Sequence, residues 1–340
     1  MKFFITGCGG YIGSTLAEQL LANGHQVCGF DRWFFGENIL SDVILHPGFI
    51  KKTGDIRSIQ HKDLEGYDVV IDLAALSNDP SGDLNPAWTA QINHLGRVGV
   101  AKKAKEAGIS RYVLASSCSV YGQGKANLLT ESIIPFPITE YAKANLAAEQ
   151  DILPLSSEKF SVCVARQATV FGLSRRMRFD LVINLMTINA IEKGKIFITG
   201  GGQQWRPIVH VRDTASALEF LGTSALDKVT GEIFNIGYSN MKVHSIAHLI
   251  RETLPFPIEL NVIPDDADKR NYNVSFNKIN ELGWVAKKTP TDAILEIYTA
   301  VKDGELHNEL KAQTVNWYKH LIESQKLINS VLLDGKLLEF

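Results

Sequence analysis

The stretch that constrains this chain most is its opening, KFFITGCGGYIG. An apolar run ends in glycine, Gly7, Gly10 and Gly13 recur at every third position, and Tyr11–Ala22 has helical spacing. Strand, glycine turn and helix in that order open a βαβ unit. Glycine permits the tight turn, lets backbone N–H groups approach a pyrophosphate and lets helix pack on strand, while the helix N-terminus favours phosphate charge. Gly7, Gly10, Tyr11, Ile12 and Gly13 are therefore expected at a dinucleotide. Eighteen residues beyond Gly13, Asp31 ends the run VCGFD. A carboxylate there accepts from adenosine ribose hydroxyls and repels a 2′-phosphate, so NAD is expected over NADP, with Arg32 a weaker opposing influence.

Further strand candidates follow in QVCGFD, YDVVIDLAA and RYVLASS, with helix candidates over 85–107 and 139–153. This alternation predicts an α/β fold, a Rossmann-type doubly wound parallel sheet. The rhythm weakens after FSVCVARQATVFG. The expected division is an NAD-binding domain of residues 1–166, rejoined at about 208–237 by WRPIVHVRD and EIFNIG, and a smaller C-terminal α/β substrate domain of 167–207 and 238–340. The segment after about Asn316 is helix-like and carries no motif.

Composition limits the partners. At 340 residues, 45% hydrophobic, 21% charged and net −2, the chain has no bulk charge to draw nucleic acid or an anionic membrane. No run reaches the roughly 18 apolar residues of a membrane span. Cys8, Cys28, Cys118 and Cys163 lack metal-ligand spacing, so no metal site is expected, and reduced thiols point to the cytoplasm.

The ordered set TGCGGYIG, GDI at 54–56, DLAA at 72–75, SSCSVYG at 116–122 and WRPIVHVRD resembles the extended short-chain dehydrogenase/reductases. More narrowly it is similar to their nucleotide-sugar epimerase/dehydratase branch, which includes UDP-galactose 4-epimerase. The likeness runs from residue 1 to about 284. It implies Asp55 and Ile56 against the adenine, Leu73, Ala74 and Ala75 along the cofactor path, and Asn93 fixing a helix near the active site. It also implies a nucleotide-diphosphate sugar as substrate and a homodimer formed through the helices at 85–107 and 139–153. Many relatives have histidine where this chain has Asp72.

By the same resemblance Ser117, four before Tyr121, assists catalysis, and a strand-end serine suits that role because it can share a proton with a phenol. Relatives that are sugar-nucleotide 4,6-dehydratases carry Asp-Glu in the next two positions, the acid and base for losing water. Cys118 and Ser119 stand there instead, which disfavours that reaction; Cys118 reads as a small packed residue. Arg206 and Arg270 occupy the slots that hold the substrate diphosphate, as guanidinium forks suit phosphate oxygens. Arg175, Arg176 and Arg178 lie in the neighbouring run SRRMRFD, and Asn184 is a candidate phosphate or sugar contact. His210, in a strand, reads as a structural histidine.

The decisive stretch is EYAKANLAAEQ at 140–150. The resemblance makes Tyr141 the proton acid/base and expects, four residues on, a lysine that holds the nicotinamide ribose and lowers the phenol's pKa. Asn145 stands in that position. On a helix i+4 lies about 40° round and i+2 about 200°, so Lys143 cannot replace it. An ordinary tyrosine, with a pKa of about 10, is ionised roughly once in a thousand at pH 7. Asn145 can hydrogen-bond a ribose hydroxyl but carries no charge, so Tyr141 is expected to be a weak base, favouring keto-sugar reduction or slow epimerisation. Three readings follow. The first is a C4 epimerase or 4-ketoreductase. The second uses transient oxidation for dehydration or decarboxylation, and the third is a non-catalytic sensor of NAD(H) or a sugar nucleotide.

Overall fold

The computed structural model describes residues 1–122, 127–264 and 271–337. Six strands in chain order, β1 (Lys2–Thr6), β2 (Gln26–Asp31), β3 (Phe49–Thr53), β4 (Val69–Asp72), β5 (Arg111–Ser117) and β6 (Ser161–Gln167), join Ile233–Ile236 in one sheet. All pairings in it are parallel, in the order Ile233–Ile236, β6, β5, β4, β1, β2, β3. β4 and β6 are buried throughout, as continuous apolar runs require when helices cover both faces. Phe3 and Ile5 enter one core with Leu16, Leu20 and Leu218, while Phe4 enters the opposite core with Val98, Ala101 and Ile152. The period-two alternation of a single strand thus feeds two layers of helix.

The direction of winding reverses between β1 and β4, which opens a crevice beyond their carboxyl ends. Trp205–His210 does not enter this sheet. It pairs with Thr169–Phe171 and Ser239–Lys242 in a three-stranded sheet, and its continuation, Val211–Thr223, packs on Tyr11–Ala22. Lys195–Thr199 pairs with Glu259–Ile263, and a third core gathers Ile183, Ile196, Ile246 and Ile294 around these shorter strands. Among the described residues no helix is long and apolar enough to cross a membrane.

The segment expected as one helix over 85–107 is not uniform. Asn85 caps Pro86–Thr89 by accepting from the Ala87 and Trp88 amides, Ala90–Gly96 widens into a π-helix, and α-geometry resumes at Arg97–Glu106. Hydrophobic spacing cannot distinguish the wide turn from its neighbours. Its effect is to aim Asn93 and Arg97 at different targets.

Candidate active site

The glycine turn after β1 is dictated by contact. A Cβ on Gly7 would stand 2.8 Å from the Ala74 amide nitrogen, and one on Gly13 would stand 2.2 Å from the Gly7 carbonyl oxygen. Gly7 also has φ +70°, where side chains are strained. No side chain caps the helix that follows, so its first-turn N–H groups remain for an anion. The crevice is lined by Gly7, Gly10, Tyr11, Ile12 and Gly13, by Asp31 at the end of β2, by Asp55 and Ile56 after β3, and by Leu73, Ala74 and Ala75 after β4. These expected cofactor residues therefore share one cleft.

Each cleft carboxylate is held by its own loop and by the loop of a neighbouring strand. Asp31 accepts from the Gly9 and Trp33 amides at 2.9 and 2.7 Å, and burial raises its pKa. Asp55 is gripped by Arg57 and touched by Arg32 at 3.0 Å; hydrogen bonding from Arg57 brings its pKa down to about 2. Asn93, fully buried, clamps the loop after β4 by accepting from the Leu76 amide (2.8 Å) and donating to the Leu76 carbonyl (3.0 Å).

Two further residues complete the cleft wall, and only the second carried no sequence signal. Arg176, in the run expected beside the diphosphate arginines, is buried with its guanidinium 3.6 Å over the Phe35 ring, and among the described residues its Nε has no hydrogen-bond partner. Tyr318 comes from the C-terminal helix Thr314–Val331, which docks by a 2.8 Å bond from the Trp317 indole to the Phe34 carbonyl. The glycine cradle, the uncapped helix and the Arg176 guanidinium form a donor set suited to a dinucleotide diphosphate, and the Asp31 carboxylate adds an acceptor suited to hydroxyl groups.

Tyr141 stands in the first turn of Glu140–Ile152. Thr139 caps that helix by accepting from the Ala142 amide at 3.1 Å, while its hydroxyl donates to Asp79. The phenol's pKa is raised, first by burial and then by the Asp79 charge. Arg97, a hydrogen bond with Ser117, and Arg178 oppose the rise. Lys143 projects outward to Glu140 at 2.8 Å and takes no part.

Asn145 lies one turn below Tyr141 and is 1% exposed. Its amide donates to the Tyr141 carbonyl at 2.9 Å, and its side-chain oxygen accepts from Arg97 at 3.0 Å. Arg97 is also 1% exposed; it donates from Nε to Asp72 at 3.1 Å and from Nη2 to the Asp72 and Ala115 carbonyls at 2.9 and 2.6 Å. Asp72 further accepts from Tyr112 at 2.7 Å and from Thr6.

Around the strand ends, Ser117 accepts from the Ser119 amide at 3.1 Å. Burial holds the Cys118 thiol well above its ordinary pKa, and it donates to the Arg166 carbonyl at 3.3 Å. Among the described residues the buried Ser119 hydroxyl and the side-chain oxygen of Gln167, paired in register with Ser117, have no hydrogen-bond partner. Gln167 sits just past an apolar run, where nothing in the sequence marks it.

The substrate arginines are more dispersed. Arg178 lines the cleft, bound to Asp180 by two 3.0 Å contacts and reaching the Ser77 hydroxyl at 3.3 Å. Asn184 is fully buried, accepting from the Gly172 amide and donating to the Tyr11 hydroxyl and the Arg178 carbonyl. It ties the glycine-turn helix to the Arg178 loop from behind the cleft. Arg206 is buried on Trp205–His210, donating to the Trp205 carbonyl, and does not line the cleft. Arg270 lies outside the described residues. His210 meets Glu296 at 3.1 Å and accepts from the Arg212 amide.

Comparison with known proteins agrees with this fold. The family model described as "NAD dependent epimerase/dehydratase family" matches residues 3–237. UDP-glucuronic acid decarboxylase 1 of Xenopus tropicalis is 27% identical, over 83% of this chain and 68% of the relative. An uncharacterized UDP-glucose epimerase, YtcB, of Bacillus subtilis is 30% identical, over 70% and 77%. Among solved structures, MoeE5 in complex with UDP-glucose and NAD is 25% identical with a TM-score of 0.77, covering 89% of this chain and 99% of that one. UDP-glucuronic acid 4-epimerase from Bacillus cereus, solved with UDP-glucuronic acid and NAD, superposes with a TM-score of 0.79 at 22% identity over the same shares, a likeness of fold. The chain belongs to the NAD dependent epimerase/dehydratase family, whose members act on nucleotide sugars.

Proposed function

We propose that the chain is an NAD-dependent nucleotide-sugar oxidoreductase acting at the sugar C4, as a 4-epimerase or 4-ketoreductase. The observation that carries this reading is the Tyr141 phenol acted on both by Ser117 at the end of β5 and by Arg178, which lines the glycine cleft. Bound NAD supplies a hydride acceptor or donor. Tyr141 Oη takes the proton from a sugar hydroxyl when it is oxidised and returns it when the ketone is reduced, and the Ser117 hydroxyl steadies the same oxygen. Ser119 Oγ and Gln167 Oε1 are the open partners for further sugar hydroxyls. Because the Tyr141 pKa is raised, the phenol is neutral at pH 7, the form that protonates a ketone. Oxidation needs the phenolate and accelerates as pH rises. UDP sugars are the first candidates because the relatives' names specify them.

A second reading, transient oxidation that enables decarboxylation, is favoured by the sequence likeness to UDP-glucuronic acid decarboxylase 1. Incubation of UDP-, GDP-, CDP- and dTDP-sugars with NAD⁺ or NADH, read by NMR and mass spectrometry, separates the possibilities. Inversion at C4 or NADH-dependent gain of hydrogen supports the proposal, and loss of CO₂ establishes the second reading. Binding with no product from any sugar overturns both in favour of a sensor. Tyr141→Phe is expected to cut turnover about 10²–10⁴-fold.

A further inference from the structure

Asp72 and Asn145, both departures from the pattern the resemblance predicts, are 73 residues apart in the chain and meet at one side chain. That side chain is Arg97, reached by Asp72 at 3.1 Å and Asn145 at 3.0 Å. We propose that Asp72, Arg97 and Asn145 are one unit, in which a buried guanidinium beneath the Tyr141 turn replaces the charge of the missing lysine, making Arg97 a positioning residue for proton transfer at Tyr141. The inference rests on the reading of Tyr141 as the proton carrier.

Four observations lead there. Arg97 is 1% exposed, so it is not a solvated surface charge. Four of its five N–H donors are accounted for by Asp72, two backbone carbonyls and Asn145, which fixes the guanidinium in one orientation. Asn145 suits this place because its oxygen accepts from the cation while its nitrogen donates to Tyr141's own carbonyl. A lysine at 145 would set a second cation against Arg97 in a site where like charges are costly. Asp72 then has a role that histidine could not fill in neutral form, since it anchors the guanidinium and also accepts from Tyr112 and Thr6.

Several groups act on the phenol. Burial and Asp79 raise its pKa; Arg97, Ser117 and Arg178 lower it, with Arg97 the largest of the three. Glu140 and Lys143 on the same helix neutralise each other at the surface. Asp72 shares the Arg97 charge, so the field at Tyr141 is that of a partly neutralised cation. Removing it is expected to move the phenol by about one pH unit, the low end for a neighbouring opposite charge.

The test is a ¹³Cζ-tyrosine NMR titration of NAD⁺-loaded protein without sugar, with Tyr141 assigned from Tyr141→Phe. Arg97→Lys is expected to titrate near the parent protein and Arg97→Gln about one unit higher. An unshifted Arg97→Gln would overturn the proposal. Thermal unfolding of NAD-free protein supplies the second measurement. Asn145→Lys alone is expected to unfold at lower temperature, and Arg97→Gln/Asn145→Lys to recover both the midpoint and the parent titration. Recovery supports the proposal even where Arg97→Gln alone does not fold; strictly additive losses, or a double variant that stays unfolded, overturn it. Because no sugar is turned over, a negative substrate screen would refute the proposed reaction and leave these results standing.

Discussion

One helix, Glu140–Ile152, faces two buried arginines and treats them differently. Tyr141, Asn145 and Glu149 follow at intervals of four and form a single stripe. At Glu149 the partner is Arg166, held by both carboxylate oxygens with Nη2 at 2.6 Å, and Tyr121 and Ser116 complete the cluster. At Asn145 the partner is Arg97, to which the helix offers only a neutral amide, while the balancing carboxylate comes from β4. A carboxylate on the stripe cancels the cation where the helix meets it. An amide orients the cation and leaves part of its field directed at the next turn, where Tyr141 stands. The first arrangement secures the packing of β6 against the helix; the second adjusts an acid.

Breaking the matched pair should have the largest effect on stability. Glu149→Gln leaves Arg166 buried and under-compensated and is expected to cost about 3–5 kcal/mol in urea unfolding, with the Tyr141 titration nearly unmoved. Converting the second site into a likeness of the first sharpens the contrast. Asn145→Asp gives Arg97 another carboxylate and is expected to raise the Tyr141 midpoint by about one unit, seen in the pH dependence of sugar oxidation, with stability changed by less than about 1 kcal/mol. Asp79→Asn works in the opposite sense: Asp79 raises the phenol's pKa, so removing its charge moves the midpoint down, by about half a unit. The smallest effect is expected farthest from the stripe, where Tyr318→Leu should weaken NAD binding a few-fold by calorimetry.

The glycine turn, Asp31 and the cleft-lining residues after β3 and β4 were legible because each belongs to a short local pattern with one structural use. The charge relation around Tyr141 was not. Arg97 sits among KKAKE-type residues and reads as an ordinary helical cation. It is buried only because the parallel sheet brings β4, β5 and the Glu140–Ile152 helix together over sequence separations of 25, 18 and 48 residues. Sequence alone identifies a lysine's absence at 145 and cannot see a cation arriving from elsewhere. Gln167 and Tyr318 were hidden for the same reason: one is an amide at a strand end, the other a ring on a late amphipathic helix.

That late helix has a kinetic consequence. Its Trp317 bond to the Phe34 carbonyl, the Tyr318 contacts with Phe34 and Phe35, and the Arg176–Thr314 bond all border the cleft that receives the nucleotide. A nucleotide seated there would have the docked helix along one wall, and its release is expected to slow with that docking. An epimerase that removes and restores hydride on the same sugar regenerates its cofactor every cycle and loses nothing by slow exchange. A net ketoreductase must discharge oxidised cofactor after each event, and its throughput would be capped by undocking. The residence time of NAD is therefore itself a discriminator between the two chemistries.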